Sequence, residues 1–193
     1  MIVASRAESG RMLSRDEALA LVRGRIANAN LVKHMLATEA VMDGLAERLG
    51  EERELWSRTG LLHDLDLDVT EGDMVRHGHV AYDALKALDV PEELRRAVLA
   101  HVGHVTAESR LEKAIVVADP VTGLVTAAAL VVPSRKLAEV RVDSLRKRMK
   151  EKRFAANVNR EQIGRCTELG LAPEDFLGLA LGSMQRIAAD LGL

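Results

Sequence analysis

Apolar residues along this chain recur every three to four positions, and nowhere is a strict every-second-residue alternation sustained. That pattern predicts an all-α protein. Ser14 followed three residues later by Glu17 reads as a capping box opening the stretch "RDEALALVRG". Asn30 is expected to cap "LVKHMLATEAVMDGLAERLG", with Gly50 as its stop. Further helices are expected at about 52–65, over "MVRHGHVAYDALKAL", and from Pro91 through "PEELRRAVLAHVG". Another is expected at about 107–118, and after the punctuation of Pro120 a separate one over "VTGLVTAAALV". The remainder reads as a basic segment at 142–153, a helix at about 160–169 ended by Gly170, and a last helix after Pro173. Residues 1–12 read as a flexible N-terminal tail. No repeat or linker divides the rest, so 13–193 is expected to form one helical domain, with its chemistry in about 30–130 and C-terminal helices over 134–193.

Composition narrows the partners. Of the 193 residues 48% are hydrophobic and 29% charged, an ordinary globular balance, and the net charge of −2 gives no electrostatic reason to bind nucleic acid or an anionic membrane. Aromatic residues make up 2%, too few to build a stacking platform for single strands. The lone Cys166 excludes an internal disulfide. No signal peptide is evident, and no apolar run is read as approaching a membrane span. The expectation is a cytoplasmic protein with no nucleic-acid or membrane partner, able to form a homodimer through its apolar last helix.

The ionisable residues change this picture. His34 lies on the stripe Leu31, Thr38, Val41 and Leu45, which faces the core. His63 and Asp64 follow a greasy lead-in, "GLLHD", and His77, His101 and Asp119 come later. Singly, each has a plain structural reading: a hydrogen-bonded core histidine, a chance dipeptide, or an N-cap at Asp119 ahead of Pro120. Gathered in one place they would be costly to bury, and a divalent metal would offset that cost. Helical bundles build metal sites from side chains on facing helices, and His with Asp suits first-row metals. A carboxylate has two oxygens, so Asp64 can bridge two ions.

The order His34, His63-Asp64, Asp119 resembles the HD superfamily of metal-dependent phosphohydrolases. The segments "LVKHMLATEAVM", "GLLHDLDLD", "RHGHVAYDAL", "AVLAHVGH" and "KAIVVADPVTGL" are similar to a compact group of predicted bacterial and archaeal HD hydrolases. That resemblance implies an all-α HD-domain bundle. It implies His34, His63, Asp64 and Asp119 as the mononuclear ligand set, His77 and His101 as ligands of a second ion, and Asp64 as the bridge. It implies one or two divalent ions (Mn, Fe, Co, Ni or Zn) and a small phosphate ester as substrate. The phosphomonoester or phosphodiester bond of a nucleotide or related metabolite would be hydrolysed by metal-activated water, with Asp64 and His63 as catalytic residues. The alternative is a non-catalytic HD domain that senses a nucleotide. The dinuclear subfamilies continue the motif with Ile-Gly-Lys, whereas Leu65-Asp66-Leu67 stands here, and no Gly-Tyr-Pro follows His101. Both departures argue against a cyclic-dinucleotide phosphodiesterase.

Neighbouring residues complete the expectations. His79 would point about 200° from His77 on a helix and is assigned to the surface. His104 shares a face with His101 if that helix runs through Gly103, and it is a candidate substrate contact. Asp66 is a candidate too, either for substrate or for orienting a ligand histidine, and Asp68 is read as a solvated loop edge. In the basic segment Lys147 and Lys150 share one face and are candidate phosphate clamps.

Overall fold

The computed structural model describes residues 10–193, which form an all-helical bundle with no strand among the described residues. Residues 1–9 of the expected tail lie outside them. Arg11 donates its backbone N–H to the Asp89 carbonyl, and Leu13 is buried in the core.

Helix α1 (Arg15–Arg25) starts at the expected box: the Ser14 hydroxyl accepts from Glu17 N, and the Glu17 carboxylate accepts from Ser14 N. Helix α2 (Ala29–Leu49) begins earlier than expected. Asn28, not Asn30, is the cap, and its Oδ1 accepts from the backbone of Asn30 and Leu31. Helix α3 (Arg53–Leu62) ends short of the expected 65, and its chain continues through turns into a four-residue helix, α4 (Leu67–Thr70). Helices α5 (His79–Ala87) and α6 (Glu92–His101) follow, with Pro91 as the residue before α6.

The centre of the bundle is the packing of α2 on α3, with α7 laid against α2 and α6. Where α2 and α3 cross, Gly60 leaves no room for a side chain: a Cβ there would stand 2.7 Å from the Thr38 carbonyl oxygen. Gly60→Ala is therefore expected to destabilise the fold by about 1–3 kcal/mol, because backbone rather than a flexible tip must move. Chemical denaturation checks this, and an unchanged midpoint would mean the crossing is looser than described.

Helix α7 (Arg110–Val131) corrects two expectations. It is one continuous helix with Pro120 inside it, not two helices divided there. Proline has no N–H for the carbonyl one turn back, a cost of about 3 kcal/mol. Ile115, Val117, Ala118, Val121, Leu124 and Val125 around it are wholly buried, and each large aliphatic among them recovers about 1.5–3 kcal/mol, so burial wins. By length and composition α7 is also apolar enough to cross a membrane, contrary to the reading that no run approaches that length; most of its apolar stretch is buried inside this protein.

Helix α8 (Val142–Arg148) covers only the first half of the basic segment. Beyond it the chain turns, and the Arg160 guanidinium gathers the carbonyls of Arg148, Glu151, Phe154, Ala155 and Val158. Helix α9 (Arg160–Gly164) passes into a 3₁₀ turn, Arg165–Leu169, that ends at Gly170. The last helices are α10 (Pro173–Arg186), packed on α2, and α11 (Ala188–Leu191). Cys166 is buried and unpaired with another cysteine.

Candidate metal centre

Five segments deliver side chains to one point. Helix α2 supplies His34, and the end of α3 supplies His63 and Asp64. His101 is the last residue of α6, and Asp119 sits in the middle of α7. His77 comes from the turn before α5, not from a helix as expected. Gly78 makes this possible: its φ of +83° lies in the left-handed region, and a Cβ there would press to 2.8 Å against Val102. The turn buries His77 and leaves His79 exposed, so helical spacing is not what separates them.

Asp64 is the hinge of the arrangement. Its Oδ2 lies 3.4 Å from Nε2 of both His34 and His63, and Asp119 Oδ1 lies 3.1 Å from the same His34 nitrogen. Its Oδ1 faces the other way, 3.4 Å from Nε2 of His77 and 3.3 Å from Nε2 of His101. Ligand atoms of His34, His63 and Asp119, and of His63, Asp64 and His101, form two groups each compact enough (within 4.8 Å) to hold an ion. The side chains of His63, Asp64, His77 and His101 are at most 7% exposed, whereas His34 is 24% and Asp119 31% exposed, so the centre opens to solvent on the His34–Asp119 side.

Each imidazole is held from behind. His63 Nδ1 donates to the Gly60 carbonyl at 2.8 Å, His101 Nδ1 to the Val98 carbonyl, and His77 Nδ1 to Asp66 Oδ1 at 2.8 Å. His34 Nδ1 lies 3.0 Å from Thr122 Oγ1, whose own proton goes to the Asp119 carbonyl. With Nδ1 carrying the proton, all four Nε2 atoms present lone pairs inward, and those of His34 and His63 stand only 3.2 Å apart. Lone pairs and carboxylate oxygens facing one another repel unless cations lie between them. The donor set therefore fits divalent metal ions bound through nitrogen and oxygen.

The protonation equilibria agree. Burial pushes the His34 imidazole down, but hydrogen bonds and charge from Asp119 and Asp64 outweigh it and raise its pKa to about 9. Burial likewise opposes, and Asp64 and Asp66 overcome, the shift that takes His77 to about 9. Asp64 and Asp119 stay ionised well into acid: burial works against them, and the facing imidazoles win. In the metal-free protein the pairing of His34 and His77 thus contributes stability in full below pH 6.5 and loses it as pH rises through about 9. Metal must displace those protons, so affinity rises over the same interval. Thermal melts should show chelator-treated protein weakening from pH 6.5 towards 9 while metal-loaded protein does not. Parallel pH profiles would contradict this.

The remaining expectations divide. Asp66 is fully buried, and its carboxylate also accepts from Gly78 N at 2.8 Å and Ala81 N at 2.9 Å. Both oxygens are engaged behind His77, which corrects its assignment as a substrate contact. Asp68 is no free loop edge, since its Oδ2 accepts from Ala27 N at 2.6 Å. Helix α6 stops at His101, with Gly103 in the left-handed region at φ +85°, so His104 does not share its helical face. Instead His104 Nε2 donates to the His77 carbonyl at 2.8 Å, and its ring stacks on His79 at 4.2 Å. Lys147 and Lys150 are exposed on and just after α8, and Lys150 lines a cavity with Ile163 and Leu177 that includes none of the cluster residues. Sequence reasoning missed Thr122. It lies one turn after Asp119, and dividing α7 at Pro120 hid that relation.

Fold and site together define an all-α protein with a buried His/Asp centre suited to metal. Residues 31–124 match the family model of the HD domain, so the chain contains a domain of the HD superfamily, which is typically one of metal-dependent phosphohydrolases. The matched segment runs from the start of α2 past Asp119 and contains all six clustered residues. No curated protein and no solved structure matches the chain.

Proposed function

We propose that this protein hydrolyses a phosphomonoester or phosphodiester bond of a small metabolite, of nucleotide size or similar, using two divalent ions. The observation that carries this reading is the division of Asp64, with one oxygen turned to His34, His63 and Asp119 and the other to His77 and His101. The first group would hold one ion and the second group the other. When bound, such ions lower the pKa of water and draw charge from phosphoryl oxygens.

The chain's own residues do the rest. Asp64 fixes the spacing of the two groups. The backbone carbonyls of Gly60 and Val98, with Asp66 and Thr122, fix the tautomer of each histidine in its neutral form, so that loss of the Nε2 proton leaves a lone pair facing the centre. Burial of His63, His77 and His101 keeps bulk water out, which strengthens every charge interaction inside. Asp119 and His34, on the open side, are what an entering ester meets. In the reaction a water oxygen bonds to phosphorus, the ester P–O bond breaks, and the departing oxygen leaves with a proton as an alcohol.

Reconstitution with Mn, Fe, Co, Ni or Zn, followed by assay against phosphate monoesters and diesters, tests the reading. Metal-dependent turnover that requires Asp64 is expected. Metal-loaded protein that binds nucleotides without turning over any ester would instead identify a sensor.

A further inference from the structure

A cavity of about 450 Å³ opens directly off the exposed side of the centre. One wall is α2, through Asn30 and, one turn on, the adjacent pair Lys33 and His34. The facing wall is α7, through Gly123, Thr126, Ala127 and Leu130. These continue the stripe of Asp119 at helical spacings of three and four, so the face of α7 that presents Asp119 runs on into the cavity. Leu191, Gly192 and Leu193 close the third side. Lys33 Nζ reaches across the mouth, 3.1 Å from where a Cβ on Gly192 would lie. A larger cavity of about 560 Å³ lies elsewhere, but its arginines and acids pair with one another (Arg15 and Arg58 with Glu39, Arg53 with Asp43), and no cluster residue lines it.

Resting on the hydrolase reading, we propose that the α2–α7 cavity is the leaving-group subsite. It receives the organic part of the phosphate ester against the surface of Gly123, Ala127 and Leu130, with Lys33 and Asn30 binding its polar substituents. Three observations converge on this. The cavity shares His34 with the centre, it lies on the side where the centre is open, and its size suits a ring-bearing group far larger than a simple alkyl. Its lysine complements an anionic ester. Selectivity among esters is thus set by residues 123–130 of α7 and by Lys33, outside the ligand set.

Two phosphonates that cannot be hydrolysed, benzylphosphonate and methylphosphonate, separate the subsite from the chemistry. Metal-loaded protein is expected to bind benzylphosphonate at least about tenfold more tightly, with NMR amide shifts at Gly123, Thr126 and Ala127 seen only for the benzyl compound. Ala127→Trp, which fills the cavity, is expected to bring the affinity ratio close to one, with metal content retained as the sign of an intact fold. Ala127→Leu, a smaller intrusion, is expected to lower the ratio part of the way. Equal affinities in the wild type, shifts confined to other helices, or a ratio unaffected by both variants would overturn the proposal. Selective binding with no ester turned over would leave the subsite standing and remove the hydrolase reading; turnover without selectivity would do the reverse.

Discussion

Replacing Asp64 by alanine is expected to remove both ions and to lower phosphate-ester turnover by about a thousandfold or more, while the helical content is retained. The size follows from its position. Each of the four clustered histidines has its Nε2 within 3.4 Å of one or other Asp64 oxygen. His63 also belongs to both compact groups, but through a single nitrogen, whereas Asp64 turns a separate oxygen to each side. Without it the Nε2 atoms of His34 and His63 keep only Asp119 as a carboxylate partner, those of His77 and His101 lose theirs, and transition-state charge loses its stabilisation. Metal analysis and circular dichroism on the variant check the two parts separately. Asp64→Ala protein that keeps two tightly held ions would contradict the bridging role.

The second large effect belongs to a residue outside the candidate ligand set, held behind His77. Asp66→Ala removes the acceptor for His77 Nδ1 and for the backbone N–H groups of Gly78 and Ala81 at the start of α5. Burial pushes this carboxyl up, yet hydrogen bonds from His77, Ala81 and Gly78 hold its pKa below the ordinary value, so it serves as an ionised acceptor. Leaving three buried donors unpaired should cost about 3 kcal/mol or more. With His77 free to turn, affinity at the His77–His101 position should fall by about 10–100-fold, while the His34–His63–Asp119 position is little changed. Metal titration then shows one tight and one weakened ion. Equal weakening of both would mean that the variant simply loosens the fold. Asp66→Asn, which still accepts through its carbonyl, should restore part of both effects.

This residue also shows what the sequence could and could not reveal. The departure from Ile-Gly-Lys at Leu65-Asp66-Leu67 is plain in the sequence and suggests altered substrate handling. Of the two readings of Asp66, the geometry fits the one in which its carboxylate organises His77 from behind, and the cavity suited to the substrate's organic part lies between α2 and α7. The helical period and the order of His and Asp residues were legible, because amphipathic spacing and ligand type are local properties. The Ser14 box and the Gly50 stop were legible for the same reason. Three features were not. Pro120 reads as a break, and only the burial of the aliphatics around it, a tertiary quantity, keeps α7 whole. His77 reads as helical, and its delivery from a turn depends on the backbone at Gly78. The cavity arises from what α2 and α7 do not fill, which no local pattern records.

The central proposal is that Asp64 would stand between two ions when the centre is loaded. Anomalous diffraction from crystals of the protein reconstituted with manganese, recorded at the metal edge, tests it most directly. The account predicts two anomalous peaks, one among His34, His63 and Asp119 and one beside His77 and His101, with one Asp64 oxygen on each. A single peak or none in fully reconstituted protein, or two peaks with Asp64 turned away from one of them, would contradict it.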